Sequence, residues 1–232
     1  MRDTRDKIHV DMGGGKGQSF AGNIAFFNQT SVPQTSSSTL FITTPTMLSV
    51  PVGSAAALYA RNGGGNVQTT FSSSPAGTPL TPLAIQTNGN IGSAQLGFII
   101  GLPGGSTTFT ATLASSQSFQ SLIVVVFSAS PVFTSLDGSG AGGNSTVSAS
   151  SFTTPTFSTT SGGIIVQGVT TTTNLTYTVG AIGSGTGTNW GGTTTNDSSL
   201  QYLISATAQS NITATYSWSA AASFCSTVGA LH

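Results

Sequence analysis

Few residues in this chain have side chains that could catalyse a reaction. Nucleophilic catalysis by serine needs a histidine base that a third group holds in place, and the histidines are His9 and His232. We expect neither ring to sit in a rigid site, because His9 lies in a charged N-terminal segment and His232 is the last residue. Glycoside hydrolysis usually needs two carboxylates, and beyond residue 20 the sequence offers only Asp137 and Asp197.

The chain also lacks a convincing metal or redox site. Asp137 and Asp197 lie among Gly, Ser and Asn residues, where aspartate commonly stabilises turns. Their neighbourhoods contain oxygen donors that calcium could use, but we interpret both as ordinary loop residues. Cys225 is the single cysteine and follows small and apolar residues, so we predict a buried, unreactive thiol. The sequence therefore predicts a non-enzymatic protein without a metal or cofactor.

One segment has the residue types of a sugar-binding patch. Sugar sites often stack a ring on an aromatic side chain and add amide hydrogen bonds, without needing charge. Asn189 and Trp190, followed by Asn196 in the same Gly-rich segment, could form such a glycan or receptor contact. The alternative is that Trp190 caps the core at one end of the fold. Trp218 alternates with Tyr216, and we expect it to face the core.

Charged residues are rare and are concentrated at the N-terminus. They make up 4% of the chain, against about 25% in an ordinary soluble domain. We interpret residues 1–20 as a flexible charged arm that docks on a partner through Arg2, Arg5, Lys7 and Lys16. Arg61 is the only later cation, and we expect it to be solvated at a strand end, with an interface salt bridge as the alternative.

The charge balance and apolar pattern exclude several classes of partner. The formal net charge is zero, so no basic field attracts nucleic acid or an anionic membrane. The N-terminus has no apolar segment typical of a secretory signal. The most apolar run, residues 122–127, is too short to span a bilayer. We therefore expect synthesis in a host cytoplasm without export by the usual route.

The remaining sequence predicts short β-strands between turns. Stretches such as 108–113 and 212–218 alternate apolar and hydroxyl residues, which places one face of a strand on a core and the other outside. The continuously apolar run 122–127 predicts a central strand buried on both faces. Two Gly-rich segments, 136–145 and 180–196, are predicted to be long loops.

Strands at this spacing predict an all-β protein, an antiparallel β-sandwich. We assign it to residues 21–232, with two subdomains that divide near residue 105 as an alternative. The surface must be neutral, because Ser and Thr together number 73 and there are 30 Gly. Such a surface resists aggregation poorly, which favours a protein that works inside an assembly; the alternative is a monomer kept soluble by its hydroxyl groups alone.

The order of signals after residue 105 resembles a known group of domains. An alternating Thr-rich stretch is followed by the apolar run 122–127 and the Leu136-Asp137 turn. Gly163-Ile-Ile-Val-Gln-Gly follows, and then a Gly-rich stretch around Trp190. The last part of the chain contains Tyr216-Ser-Trp218, small residues and Phe224.

This order is similar to a loosely defined jelly-roll domain of tailed-phage virion proteins and environmental bacterial surface proteins, and the similarity covers about half the chain. The resemblance implies a jelly-roll-like sandwich and a virion or cell-surface setting, and implies no catalytic residues.

These observations favour a structural protein of a bacteriophage particle. We expect a capsid decoration or cement protein that contacts the major capsid protein or another virion protein and forms a homo-oligomer, with a trimer favoured. The alternative is a glycan- or host-receptor-binding module on a fibre or tail surface. A second alternative is a bacterial surface or filament subunit.

Overall fold

The computed structural model describes residues 23–183, 185–190 and 197–232, and all of its paired strands run antiparallel. The described residues contain no helix. This confirms the prediction of an all-β, antiparallel sandwich. The N-terminal arm predicted for residues 1–20 lies outside the described residues.

Ten strands form the first part of the chain: β1 (Asn23–Thr35), β2 (Thr39–Thr43), β3 (Met47–Val50), β4 (Ala55–Asn62), β5 (Thr69–Ser74), β6 (Thr78–Pro79), β7 (Gln86–Asn88), β8 (Gly92–Ile100), β9 (Gly105–Gln117) and β10 (Gln120–Ser130). Seven more follow: β11 (Leu136–Thr153), β12 (Gly163–Thr171), β13 (Tyr177–Ile182), β14 (Gly185–Thr186), β15 (Thr188–Trp190), β16 (Ser198–Ser205) and β17 (Ala214–Leu231).

The strands form three sheets. The central sheet has the order β1-β10-β4-β8-β6, with β7 also on β8. In the outer sheet, β9 pairs with β2, β3 and β5. Because β2 and β3 pair with successive parts of β9, they lie on one side of it and β5 lies on the other. The C-terminal sheet has the order β14-β13-β17-β12-β16-β15, with β11 also on β17.

The middle strands of the central sheet, β10, β4 and β8, are buried on both faces. Leu58, Leu122 and Val124 pack with Phe71 and Phe109 of the outer sheet. The alternate residues of the same strands, with Phe98, pack against the C-terminal sheet. All eight residues of β4 are therefore buried, and so is the run 122–127, as its continuous apolarity predicted.

The C-terminal sheet folds over on itself. The last part of β17 pairs with β12, whereas its first part pairs with β13. Ala214 from the first part and Val228 from the last nevertheless belong to one apolar cluster, which they share with Ile165 and Ile182. Strand β12 is consequently buried along its whole length.

The first predicted long loop is wrong, and the second is wrong in part, since residues 184 and 191–196 of it lie outside the described residues. Residues 136–145 belong to β11, which pairs along β17. Segment 180–196 contains the end of β13 together with β14 and β15. Glycine occurs in β11 for a packing reason, since a Cβ at Gly143 would overlap the ring of Phe152. Strands β9 and β10 follow residue 105 but complete the sheets of the first part, and the change to the C-terminal sheet falls between Ser130 and Leu136.

Candidate functional site

The residues predicted to contact a partner are placed only in part. Arg2, Arg5, Lys7, Lys16 and Asn196 lie outside the described residues. Asn189 and Trp190 lie on β15, opposite Gln201 and Leu200 of β16. Since β15 ends one side of the C-terminal sheet, both glycan-contact residues lie on a terminal strand.

Arg61 is buried between two sheets, so the prediction of a solvated strand end is wrong. It lies on β4 of the central sheet with 5% of its surface exposed, and it forms an ion pair with Asp197, which is 2% exposed and immediately precedes β16. The second guanidinium nitrogen, Nη2, donates to the carbonyl oxygen of Ile91 at 3.4 Å. Burial lowers the pKa of Arg61 to about 10, a value at which the guanidinium stays charged at neutral pH.

A hydrogen-bond network surrounds the Asp197 end of this pair. The backbone carbonyl oxygen of Asp197 accepts from the Tyr177 hydroxyl at 2.6 Å and from the Thr170 hydroxyl at 2.9 Å. The Ser198 hydroxyl lies 3.2 Å from the Ser121 hydroxyl of β10. The pair and its neighbours therefore join β4 and β10 of the central sheet to the C-terminal sheet. The chemistry that this arrangement supports is structural, since every group named here faces another part of the same chain.

Asp137 is also buried rather than placed in an exposed turn. It lies in β11, is 8% exposed and accepts hydrogen bonds from the backbone N–H and hydroxyl groups of both Thr160 and Ser161. Burial by itself would raise the pKa of this carboxyl, but the four donors outweigh burial and hold the pKa below its ordinary value. Asp137 therefore remains an anion that anchors segment 160–161.

His232 is held beside this carboxylate, contrary to the expectation that neither histidine is fixed. Its Nδ1 lies 3.6 Å from Asp137 Oδ1, and its Nε2 lies 3.4 Å from the Ser135 hydroxyl. The backbone amides of Thr134 and Ser135 donate to the carbonyl oxygen of His232 at 2.8 and 3.3 Å. Sequence reasoning missed this cluster because residues 135, 137 and 232 meet only when β11 pairs with β17.

The order serine, histidine, carboxylate resembles a hydrolase triad, but the surroundings favour a structural role. Asp137 is occupied by Thr160 and Ser161. The amides of Thr134 and Ser135, which lie nearest the serine, point at the carbonyl oxygen of His232 and not at a space for an oxyanion. The cluster therefore ties the end of β17 to the start of β11.

Two predictions about single side chains are confirmed. Cys225 is fully buried, and burial raises the pKa of its thiol to about 12, which disfavours the thiolate at neutral pH. Trp218 is 4% exposed, and its indole N–H donates to the carbonyl oxygen of Ala149 at 2.7 Å.

Burial of Arg61, Asp137 and Asp197 leaves the described surface without an exposed Lys, Arg, Asp or Glu side chain. Hydroxyl groups take their place on the outer face of the outer sheet. There Thr43 and Thr110 are hydrogen-bonded at 2.8 Å between their Oγ1 atoms, and Thr70 donates to the carbonyl oxygen of Thr112. Thr153 and Thr215 form an equivalent pair at 2.9 Å in the C-terminal sheet. Such a surface binds by shape, hydrogen bonds and apolar contact and not by charge.

Comparisons with protein-family models, curated proteins and solved structures find no match to this chain. No helix in the described part is long and apolar enough to cross a membrane. Within the same residues, no group of three His, Cys, Asp or Glu side chains is placed to hold a metal ion.

Proposed function

We propose that this chain is a non-enzymatic structural protein of a bacteriophage particle, and that it serves as a capsid decoration or cement protein. The observation that supports this most is the described surface, on which no charged side chain is exposed. Proteins normally keep themselves apart in solution with net charge, and a neutral surface associates readily. A protein with such a surface is suited to a place in an assembly, where neighbours cover much of it.

The interior supports the same role. The buried pair Arg61–Asp197 joins two sheets, and the Asp137 cluster fastens the end of β17 to the start of β11. Ionisable groups thus hold the fold together in both places. In the proposed role the protein binds the major capsid protein, or another virion protein, through apolar area and backbone pairing at sheet edges. The charged residues of segment 1–20 add the only strongly charged contact.

A glycan- or receptor-binding role on a fibre or tail is the second proposal. It is supported by the position of Asn189 and Trp190 on β15, a strand that ends its sheet. Both proposals place the protein on a particle, and they differ in where on the particle it lies.

The test is to purify particles from a host culture that expresses the gene and to measure the chain by quantitative mass spectrometry. We expect a fixed number of copies per major capsid subunit, and gold-labelled antibody on the capsid in electron micrographs. Label confined to the tail or fibres would support the second proposal instead. A chain that density-gradient purification removes from particles, while the capsid protein remains, would contradict both.

A further inference from the structure

One edge of the central sheet has no partner strand in the described part of the chain. Strand β1 ends that sheet, and among the described strands it pairs only with β10. Phe26, Asn28 and Gln29 on β1 are exposed. Proteins usually protect such an edge with charge or proline, or by covering it. Residues 23–32 of β1 contain no charged residue and no proline, and their one irregularity is a register shift after Phe26.

Beside this edge, the apolar interior between the central and C-terminal sheets reaches the surface. The ring of Phe26 stacks on Tyr202 of β16, with centroids 5.9 Å apart, and Tyr202 belongs to the apolar cluster that the two sheets share. Tyr202 and Ile204 are alternate residues of β16 and therefore face the same side. Phe26 is 40% exposed and Ile204 is 37% exposed. We call these three side chains the β1–β16 margin.

The sequence that precedes β1 contains a pattern suited to this margin. Within residues 7–12, apolar residues alternate with polar or charged ones. The apolar residues are Ile8, Val10 and Met12, and the others are Lys7, His9 and Asp11. Such alternation predicts a strand with one apolar face and one charged face.

The linker between this segment and β1 is long enough for the chain to fold back along the strand. Residues 13–22 form the linker, and five of these ten residues are glycine, which allows a reversal of the chain. Ten residues span up to about 35 Å when extended, whereas Asn23 and Phe26 lie about 10 Å apart along β1. A tether of this length holds the segment near β1 at an effective concentration on the order of millimolar. Pairing within one chain is therefore favoured over pairing with a second copy.

We propose that residues 7–12 pair with the free edge of β1 in the same chain and cover the β1–β16 margin. The three apolar side chains of the segment then lie on the side of Phe26 and Ile204, and backbone pairing satisfies the edge groups of β1. The charged face of the segment points away from the interior and supplies the charge that this edge otherwise lacks. The inference goes beyond the proposed function and holds whether or not the chain is part of a particle.

The test is hydrogen exchange of the full chain, measured by mass spectrometry of its peptides. It compares the wild type with the double variant Val10→Thr, Met12→Thr, which removes two apolar side chains and introduces a residue that favours strands. The matched control is His9→Thr, Asp11→Thr, which makes the same number of changes on the charged face of the same segment. Circular dichroism verifies that all three proteins are folded.

We expect the amides of residues 7–12 in the wild type and the control to exchange at least about tenfold more slowly than in the double variant, because burial of the apolar side chains stabilises the pairing that protects them. Peptides from β1 should also exchange faster in the double variant.

A wild-type segment that exchanges at the rate of an unstructured peptide would overturn the proposal, and so would equal protection in the wild type and the double variant. Protection that falls on dilution would also overturn it, because the strand on this edge would then come from a second copy. Absence of the chain from particles would refute the proposed function and leave this result unaffected.

Discussion

At the scale of single residues, the few charged side chains of the described part are buried and stabilise contacts inside the fold. A buried ion pair gains little over well-packed apolar groups, but removing one partner leaves an uncompensated buried charge. Arg61 and Asp197 form such a buried pair, because both are almost fully enclosed between the central and C-terminal sheets. Removing one partner should therefore cost more stability than the intact pair contributes.

This gives a prediction for the pair. Arg61→Met leaves the Asp197 carboxylate buried without its cation, and we expect it to lower the free energy of unfolding by about 3–5 kcal/mol. Adding Asp197→Leu to the same chain should restore most of the loss, since the buried charge is then gone. Urea unfolding followed by tryptophan fluorescence measures both. A loss below about 1 kcal/mol in the single variant would show that the pair behaves like an exposed one.

The residues that could be predicted were those whose surroundings are local in sequence. Cys225 and Trp218 lie in alternating or apolar stretches, and that pattern already indicates burial. Arg61 and His232 could not be placed, because their partners come from distant strands and only the pairing of whole sheets brings them together. An arginine before a Gly-rich turn looks the same in sequence whether it meets water or a buried aspartate.

At the scale of strands, the alternation of apolar and hydroxyl residues predicted strands in most of the sheets. One strand, β11, was missed because of its glycine residues. Stretch 108–113 was predicted as a strand with one buried face and is part of β9. Strand β11 was predicted as a loop over 136–145, because glycine and serine there offer no apolar face. Instead, the backbone of β11 pairs with the backbone of β17. The small residues of β11 fit there because neighbouring side chains pack directly against its backbone.

Glycine at such positions is testable where two sheets meet. Gly168 lies on β12, and a Cβ there would overlap the ring of Tyr59 on β4. We expect Gly168→Ala to lower the free energy of unfolding by about 1–3 kcal/mol, the usual cost of overpacking a core. The control is Gly65→Ala, where a Cβ would meet nothing within 4 Å. Thermal unfolding compares the two variants. Equal unfolding temperatures would mean that the two sheets separate easily enough to admit the methyl group.

At the scale of the whole molecule, the middle strands of the central sheet are buried on both faces, one apolar cluster being shared with the outer sheet and another with the C-terminal sheet. The sequence predicted a sandwich but could not specify three sheets. A strand that is apolar on both sides, such as β10, indicates two covered faces without identifying what covers them. The arrangement places every ionisable side chain of the described strands inside, and this explains how a chain with 4% charged residues can have a surface made of hydroxyls and apolar groups.

A surface of this kind makes a specific prediction about salt. At about 1 M sodium chloride the Debye length falls to about 3 Å, so contacts between exposed charges are screened while apolar contacts persist. We expect particles washed at that concentration to keep most of the bound protein, and any loss to come from Arg2, Arg5, Lys7 and Lys16. Replacing these four with alanine should weaken binding at low salt, by about 0.2–1 kcal/mol per exposed pair, and should leave binding independent of salt. Gly65→Ala serves as the reference variant in the same assay. Release of the wild type at moderate salt would show that charge holds it in place, and would remove the main support for an assembly built on neutral contact.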